Sequence, residues 1–168
     1  MPAAVFGLLL VTLTACGGGG KAATMPDGAK IALLVSFDRG TEGQPPEKVQ
    51  QVGQLADYAE PDFLAMLSKM GYEASRVDDP NTPPGPGRYV VRYRIIHYNA
   101  GSKAARMFVG FGAGSAKLDT SYELIGPDGS TYTKGAPSVA SSQDWKKAAH
   151  KVNQESAKAI DTRLHQSL

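Results

Sequence analysis

Ala116-Lys117-Leu118-Asp119-Thr120-Ser121-Tyr122-Glu123-Leu124 alternates between residues that favour a core and residues that favour water. Successive side chains of a β-strand point to opposite faces. The stretch therefore predicts a strand with Ala116, Leu118, Thr120, Tyr122 and Leu124 facing in, and Lys117, Asp119, Ser121 and Glu123 facing out. Downstream, Gly126-Pro127-Asp128-Gly129 is a turn with a mechanism, since proline presets its own φ and glycine accepts a positive one. It predicts a hairpin returning through a short strand at residues 130–134.

Upstream, residues 88–98 alternate in the same way. Tyr89, Val91, Tyr93, Ile95 and His97 are expected on one face, with Val90, Arg92, Arg94, Ile96 and Tyr98 on the other. Residues 31–37 form a continuous apolar run, read as a strand buried on both faces and central in the sheet. From Pro46, a good first-turn residue, Val49, Val52, Leu55, Ala59, Phe63, Met66, Leu67 and Met70 recur at three- and four-residue spacing, which predicts one helical stripe. Pro61 is expected to kink or divide that helix. Gly71 should stop it, with Tyr72 folding back behind the stop. Residues 78–87 hold four prolines and two glycines and read as a loop. Ser141 or Ser142 can cap a final helix whose stripe is Trp145, Ala148, Val152, Ala159, Ile160 and Leu164, leaving Lys146, Lys147, Lys151 and Lys158 to water. The fold class expected is α+β, a mainly antiparallel sheet with two helices packed on one face.

A chain of 168 residues with 42% apolar and 20% charged residues fits one compact domain. The net charge of +2 gives no ground for nucleic-acid binding. One cysteine excludes an internal disulfide, and its position explains it. Residues 5–13 are an apolar run of signal-peptide length, about half of what crosses a bilayer. Immediately behind it, Leu13-Thr14-Ala15-Cys16 resembles the lipobox of bacterial lipoproteins. The resemblance implies cleavage before Cys16 and lipidation of its thiol, and two or three acyl chains make a stable anchor where one does not. Gly17 after the cysteine implies, by the same resemblance, the outer membrane, with the protein facing the periplasm. The expected organisation is a signal peptide at 1–15, a lipid-anchored glycine-rich linker at 16–28 and a single α+β domain at 29–168.

Between the two alternating strands lies the most distinctive run of the chain, residues 101–115, with Gly110, Gly112 and Gly114 around Phe111 and Ala113. No helix opens behind these glycines and no Gly-Lys-Ser/Thr ending follows, so a phosphate-binding loop is not expected. Two readings stay open. The run extends and bends the sheet, or Arg106, Met107, Phe108, Val109 and Phe111 form an exposed apolar and basic contact for a partner protein or the membrane. Gly101-Ser102, Ala105-Arg106 and Gly110-Phe111-Gly112-Ala113-Gly114, leading into Ala116-Lys117-Leu118, resemble the central signature of a group of small bacterial lipoproteins classified only as a domain of unknown function. That resemblance implies an exported, often lipidated α+β domain and carries no reaction with it.

Catalysis needs a nucleophile with a base, paired carboxylates or metal ligands. His97, His150 and His165 are scattered and lack metal-ligand spacing. Asp78-Asp79 and the Asp57, Glu60, Asp62 group read as caps and solvated charges. No catalytic residue, metal or cofactor is therefore expected. The sequence leads to a non-enzymatic, membrane-tethered periplasmic lipoprotein that binds an envelope protein partner. The alternatives are a small-ligand site lined by Tyr89, Tyr93, His97 and Tyr122, and a hydrolase dependent on His97.

Overall fold

In the computed structural model of the chain, residues 22–101, 115–141 and 144–168 are described. The elements run β1 (Ala32–Asp38), α1 (Pro46–Lys69), β2 (Glu73–Val77), β3 (Arg88–Asn99), β4 (Ala116–Ile125), β5 (Thr131–Gly135), β6 (Ser138–Ser141) and α2 (Trp145–Ser167). The strands form one sheet in the order β2-β1-β3-β4-β5, and β6 also pairs with β4.

The overall α+β class holds, but the sheet is mixed. β1 lies parallel to both β2 and β3, while β3, β4, β5 and β6 are linked by antiparallel pairs. Parallel neighbours need a crossover, and α1 supplies the one from β1 to β2. β2 is a five-residue edge strand with one weakly buried face, which is why alternation did not reveal it. β2 ends level with Ser36, whereas β3 begins level with Ala32. Residues 78–87 must therefore return along the sheet. They do so over the face that carries no helix: the Pro80 carbonyl accepts from Arg92 Nε at 2.9 Å, and Val90 on that face is fully buried.

α1 is one element through Pro61 and is not divided there. Its stop follows the sequence closely. Gly71 takes φ +102°, its N–H donates to the Ser68 carbonyl at 2.9 Å, and the Tyr72 N–H reaches back to the Leu67 carbonyl at 3.2 Å. This paired closure satisfies two orphan carbonyls of the last turn, and Tyr72 is buried against the same core as Leu67. α2 is capped by Asp144, not by a serine, through a 3.1 Å bond accepted from the Lys146 N–H. The two helices pack on each other and on one face of the sheet. Leu33, Val35, Tyr89, Val91, Tyr93, Leu118 and Leu124 project from the strands against Leu55, Phe63, Leu67, Val152, Ile160 and Leu164. Each such fully buried side chain contributes about 1.5–3 kcal/mol of hydrophobic stabilisation.

The N-terminal boundary differs from the one drawn at residue 29. Ala23 is buried, the Met25 N–H donates to the Ala29 carbonyl at 2.9 Å, and Thr24 bridges Lys30. Ala22 and Met25 pack on the core, so the glycine-rich segment does not run free up to Gly28.

A second difference lies in β3. Its register against β4 shifts between Ile95 and His97, so that Ile95 faces Thr120 and His97 faces Asp119, with Ile96 as the extra residue. A bulge of one residue swaps the faces of everything beyond it. Tyr98 turns inward and is buried, while Ile96 is 55% exposed. His97 goes to the helix-free side with Asp119, away from the tyrosines.

Candidate functional site

Among the described residues, the helix-free face of the sheet is the surface left most open. Two rows of side chains cross its uncovered part. Register places Asp38 of β1 beside Arg94 of β3 and Ser121 of β4; one step along, Ser36 lies beside Arg92, Glu123 and Lys134. Alternation forces all of these to the side opposite Val35, Val91, Tyr93 and Leu124. With residues 78–87 on one flank and Ala136 on the other, they line an open groove of about 610 Å³.

Opposite charges alternate across this floor. Arg94 holds Asp38 at 3.3 Å and Glu42 at 3.1 Å, and Arg92 meets Glu123 at 3.5 Å while its Nε is bound to Pro80. The guanidinium groups are about half exposed, so these pairs orient side chains more than they stabilise the fold. Thr131 donates to Glu123 Oε1 at 2.7 Å and fixes that carboxylate from the edge. Such a floor offers guanidinium donors, carboxylate acceptors and the Ser121 hydroxyl to a polar partner. Farther along the same face, Asp119 gathers Ser138, Lys117 at 3.1 Å and His97 at 3.6 Å. The Ser138 hydrogen bond, with Lys117 and His97 beside it, holds the Asp119 carboxyl below the usual carboxylate range.

Under the sheet, a buried polar cluster ties the layers together. Asn153 donates to the Ala59 carbonyl at 2.8 Å and to Asp62 Oδ2 at 2.9 Å, and accepts from the Tyr93 hydroxyl at 3.0 Å. His150 Nδ1 lies 3.1 Å from the other Asp62 oxygen. Burial pushes the Tyr93 hydroxyl far above the usual tyrosine range. Asp62 and Glu60 are thus structural groups, not solvated charges; Glu60 is 6% exposed and paired with Arg76 at 3.1 Å.

The four residues Tyr89, Tyr93, His97 and Tyr122 do not come together as the one pocket expected: Tyr93 and Tyr122 border the open groove, while Tyr89 and His97 do not line it. The three tyrosines are buried on the helix side, where Tyr89 packs edge-on against Tyr132 and Tyr93 stacks on Phe37, and the bulge sends His97 to the other face. Cys16 and the contact proposed at Arg106, Met107, Phe108, Val109 and Phe111 lie outside the described residues. Among the described residues no group of three or more His, Cys, Asp or Glu is placed to hold a metal ion, and no helix is long and apolar enough to cross a membrane. The groove was half legible in sequence. Arg92, Arg94, Ser121 and Glu123 were already assigned to outward faces, but nothing local showed that Ser36 and Asp38 complete the rows through parallel pairing.

A mixed sheet with two helices on one face and a charged, open opposite face defines the class of this α+β domain. Residues 35–162 match the domain of unknown function DUF4410, and the chain belongs to that family. No curated protein matches the sequence significantly. Among solved structures, the chain is similar to the PelC dodecamer from Paraburkholderia phytofirmans at 15% identity, with 86% of this chain and 93% of that one covered and a TM-score of 0.52. A second crystal form, of a PelC variant from the same organism, aligns at 16% identity over 89% and 94% of the two chains, with a TM-score of 0.49. A homolog of neuraminyllactose-binding hemagglutinin from Helicobacter pylori aligns at 12% identity over 89% and 90%, with a TM-score of 0.34.

Proposed function

We propose that the chain is a lipoprotein of the bacterial cell envelope, tethered through Cys16 to the periplasmic side of the outer membrane. In this reading it catalyses no reaction and binds a protein partner as an accessory component of an envelope complex. The observation that carries the reading is the helix-free sheet face, where side chains from four strands are arranged in rows of paired charges instead of converging on one reactive atom. A broad face of alternating charge suits recognition of a complementary polar surface and sets register and partner choice. The lipobox of Leu13-Thr14-Ala15-Cys16 and the glycine-rich signature at Gly110-Phe111-Gly112-Ala113-Gly114 support the envelope location. PelC is described as a dodecamer, which makes a further copy of this chain one candidate for the partner.

Crosslinking in whole cells tests this with the full-length chain. Arg92→Glu with Arg94→Glu should remove the partner species while the protein remains in the membrane fraction. An unchanged set of crosslinked species would rule the face out. Phe108→Ser with Phe111→Ser tests the glycine-rich segment in the same assay.

The groove itself favours one second reading, a periplasmic small-ligand site for a polar molecule held between Arg92, Arg94 and Glu123. Its volume of about 610 Å³ lies within the range of small-molecule sites. Native mass spectrometry of protein taken from its own envelope should then show a retained mass that is lost in Arg94→Ser.

A further inference from the structure

We infer that the domain stands on its membrane by one defined pole, the end where Ala22 is docked beside Gly71, with the bulged end of β3 turned toward the aqueous compartment. This rests on the lipid anchor at Cys16 and adds an orientation to it. The docking has several independent contacts. The Ala23 N–H reaches the Tyr72 hydroxyl at 3.4 Å, and that hydroxyl donates to Asp161 Oδ1 at 2.6 Å, joining the entering chain to α2. A Cβ on Gly71 would stand 3.0 Å from the Ala22 Cβ, and one on Gly87 3.8 Å from Met25 Cγ, so the segment lies where these two glycines leave room. The bridge between Thr24 and Lys30 closes it into a turn.

The consequence is a short tether. Only residues 17–21 separate Cys16 from docked Ala22. Six Cα steps reach at most about 21 Å. β3 alone, from Arg88 near the docked pole to Asn99, is about 36 Å long. The body is therefore longer than its leash, and the leash is fixed at one end of it. Lys30 and Lys69 are exposed at this pole, and among the described residues neither has a carboxylate partner, so both are available to anionic headgroups. Ile96, His97 and Asp119 are carried at the other end.

Energy transfer from tryptophan to a dansyl-labelled lipid reads the orientation. Cys16 is the only cysteine, so the domain beginning there can be coupled to a maleimide lipid in vesicles of phosphatidylethanolamine and phosphatidylglycerol, with coupling verified by mass. Trp145 is the only tryptophan, about 24 Å along α2 from the Tyr72–Asp161 bond. In a Trp145→Phe background, Lys69→Trp should transfer at least threefold more efficiently than Ile96→Trp, with native Trp145 also weak. Equal transfer from the three positions, or the highest from Ile96→Trp, would overturn the orientation. Since the anchor is chemical, this result is independent of processing in cells. Separately, a mature N-terminus found without lipid on Cys16 would overturn the anchor and the cellular orientation with it.

Discussion

The Tyr93 hydroxyl donates to Oδ1 of Asn153 at 3.0 Å, across the boundary between the sheet and the helix layer, with Asn153 fully buried. Asn153 uses its amide completely, holding α1 through the Ala59 carbonyl and Asp62 as well. It therefore fixes how α2 sits on α1 and on β3 at once. Truncation would leave several buried polar groups unpaired, and that loss exceeds the value of the bonds themselves.

Asn153→Ala is expected to destabilise the domain by about 2–4 kcal/mol, measured by urea unfolding. Tyr93→Phe takes away only one of the three bonds made by the Asn153 amide and should cost about 1–2 kcal/mol. If the alanine variant costs no more than the phenylalanine variant, Asn153 does not join the layers as described.

Gly40 cannot be replaced. Its φ is +61°, and a Cβ there would stand 2.0 Å from the Ile95 carbonyl oxygen, a backbone atom that cannot swing away. The Asp38 carboxylate accepts from the Gly40 N–H at 2.8 Å and holds the turn against the bulge. Gly40→Ala should lower stability by more than about 2 kcal/mol, from the left-handed backbone and the clash together. Gly43→Ala is the control for the backbone alone, since φ there is +70° with nothing within 4 Å; it should cost about 1–2 kcal/mol. Equal midpoints for the two variants would remove the contact with Ile95.

The Tyr72–Asp161 bond gives an alkaline signature. Burial first, and the bond to Asp161 second, push the Tyr72 hydroxyl far above the ordinary value of 10.0. A raised folded-state value means that its stabilisation is full below about pH 10 and is lost as pH rises further, because the unfolded chain ionises first. Tyr72→Phe should thus be less stable than wild type by about 1–2 kcal/mol at pH 8, with the gap narrowing between pH 10 and pH 11 in urea titrations. A gap that stays constant with pH would contradict the assignment.

Arg92 and Arg94 should behave in the opposite manner. Their ion pairs are half exposed, so Arg94→Ser is expected to change stability by less than about 1 kcal/mol, with an even smaller effect at high salt. Under the proposed function, the same variant should weaken capture of a protein partner. A large loss of stability in thermal melts would turn these rows into structural elements.

What the sequence revealed depends on how local the cause was. The stop at Gly71, the hairpin around Gly126-Pro127-Asp128-Gly129 and the stripe through Leu55, Phe63 and Leu67 are set within a few residues, and each is present as read. In the hairpin the Gly126 N–H donates to the Ser130 carbonyl at 2.8 Å and Gly129 takes φ +80°. The misreadings are non-local. Whether β1 pairs parallel or antiparallel depends on where α1 returns the chain, which no residue in 31–37 records. His97 was misplaced because a bulge leaves no mark on alternation until Tyr98 is seen to be buried. β6 escaped notice because its four residues become a strand only through pairing with β4. Of the site, the outward charges of β3 and β4 were legible; the contribution of β1 was not.

The outer side of β4 is shared by two short strands laid end to end, with a break at Ala136 and Pro137. On the opposite margin, β2 is as short as β5, five residues, and carries Glu73 and Arg76. Among the described residues, neither margin offers an uninterrupted ladder of free backbone donors and acceptors for a neighbouring chain to extend. Molecules crowded in two dimensions meet one another far more often than molecules in solution, and uncontrolled sheet growth is the hazard of such crowding. If the chain is tethered as proposed, the described margins would let copies be packed densely side by side without their sheets zipping into one another.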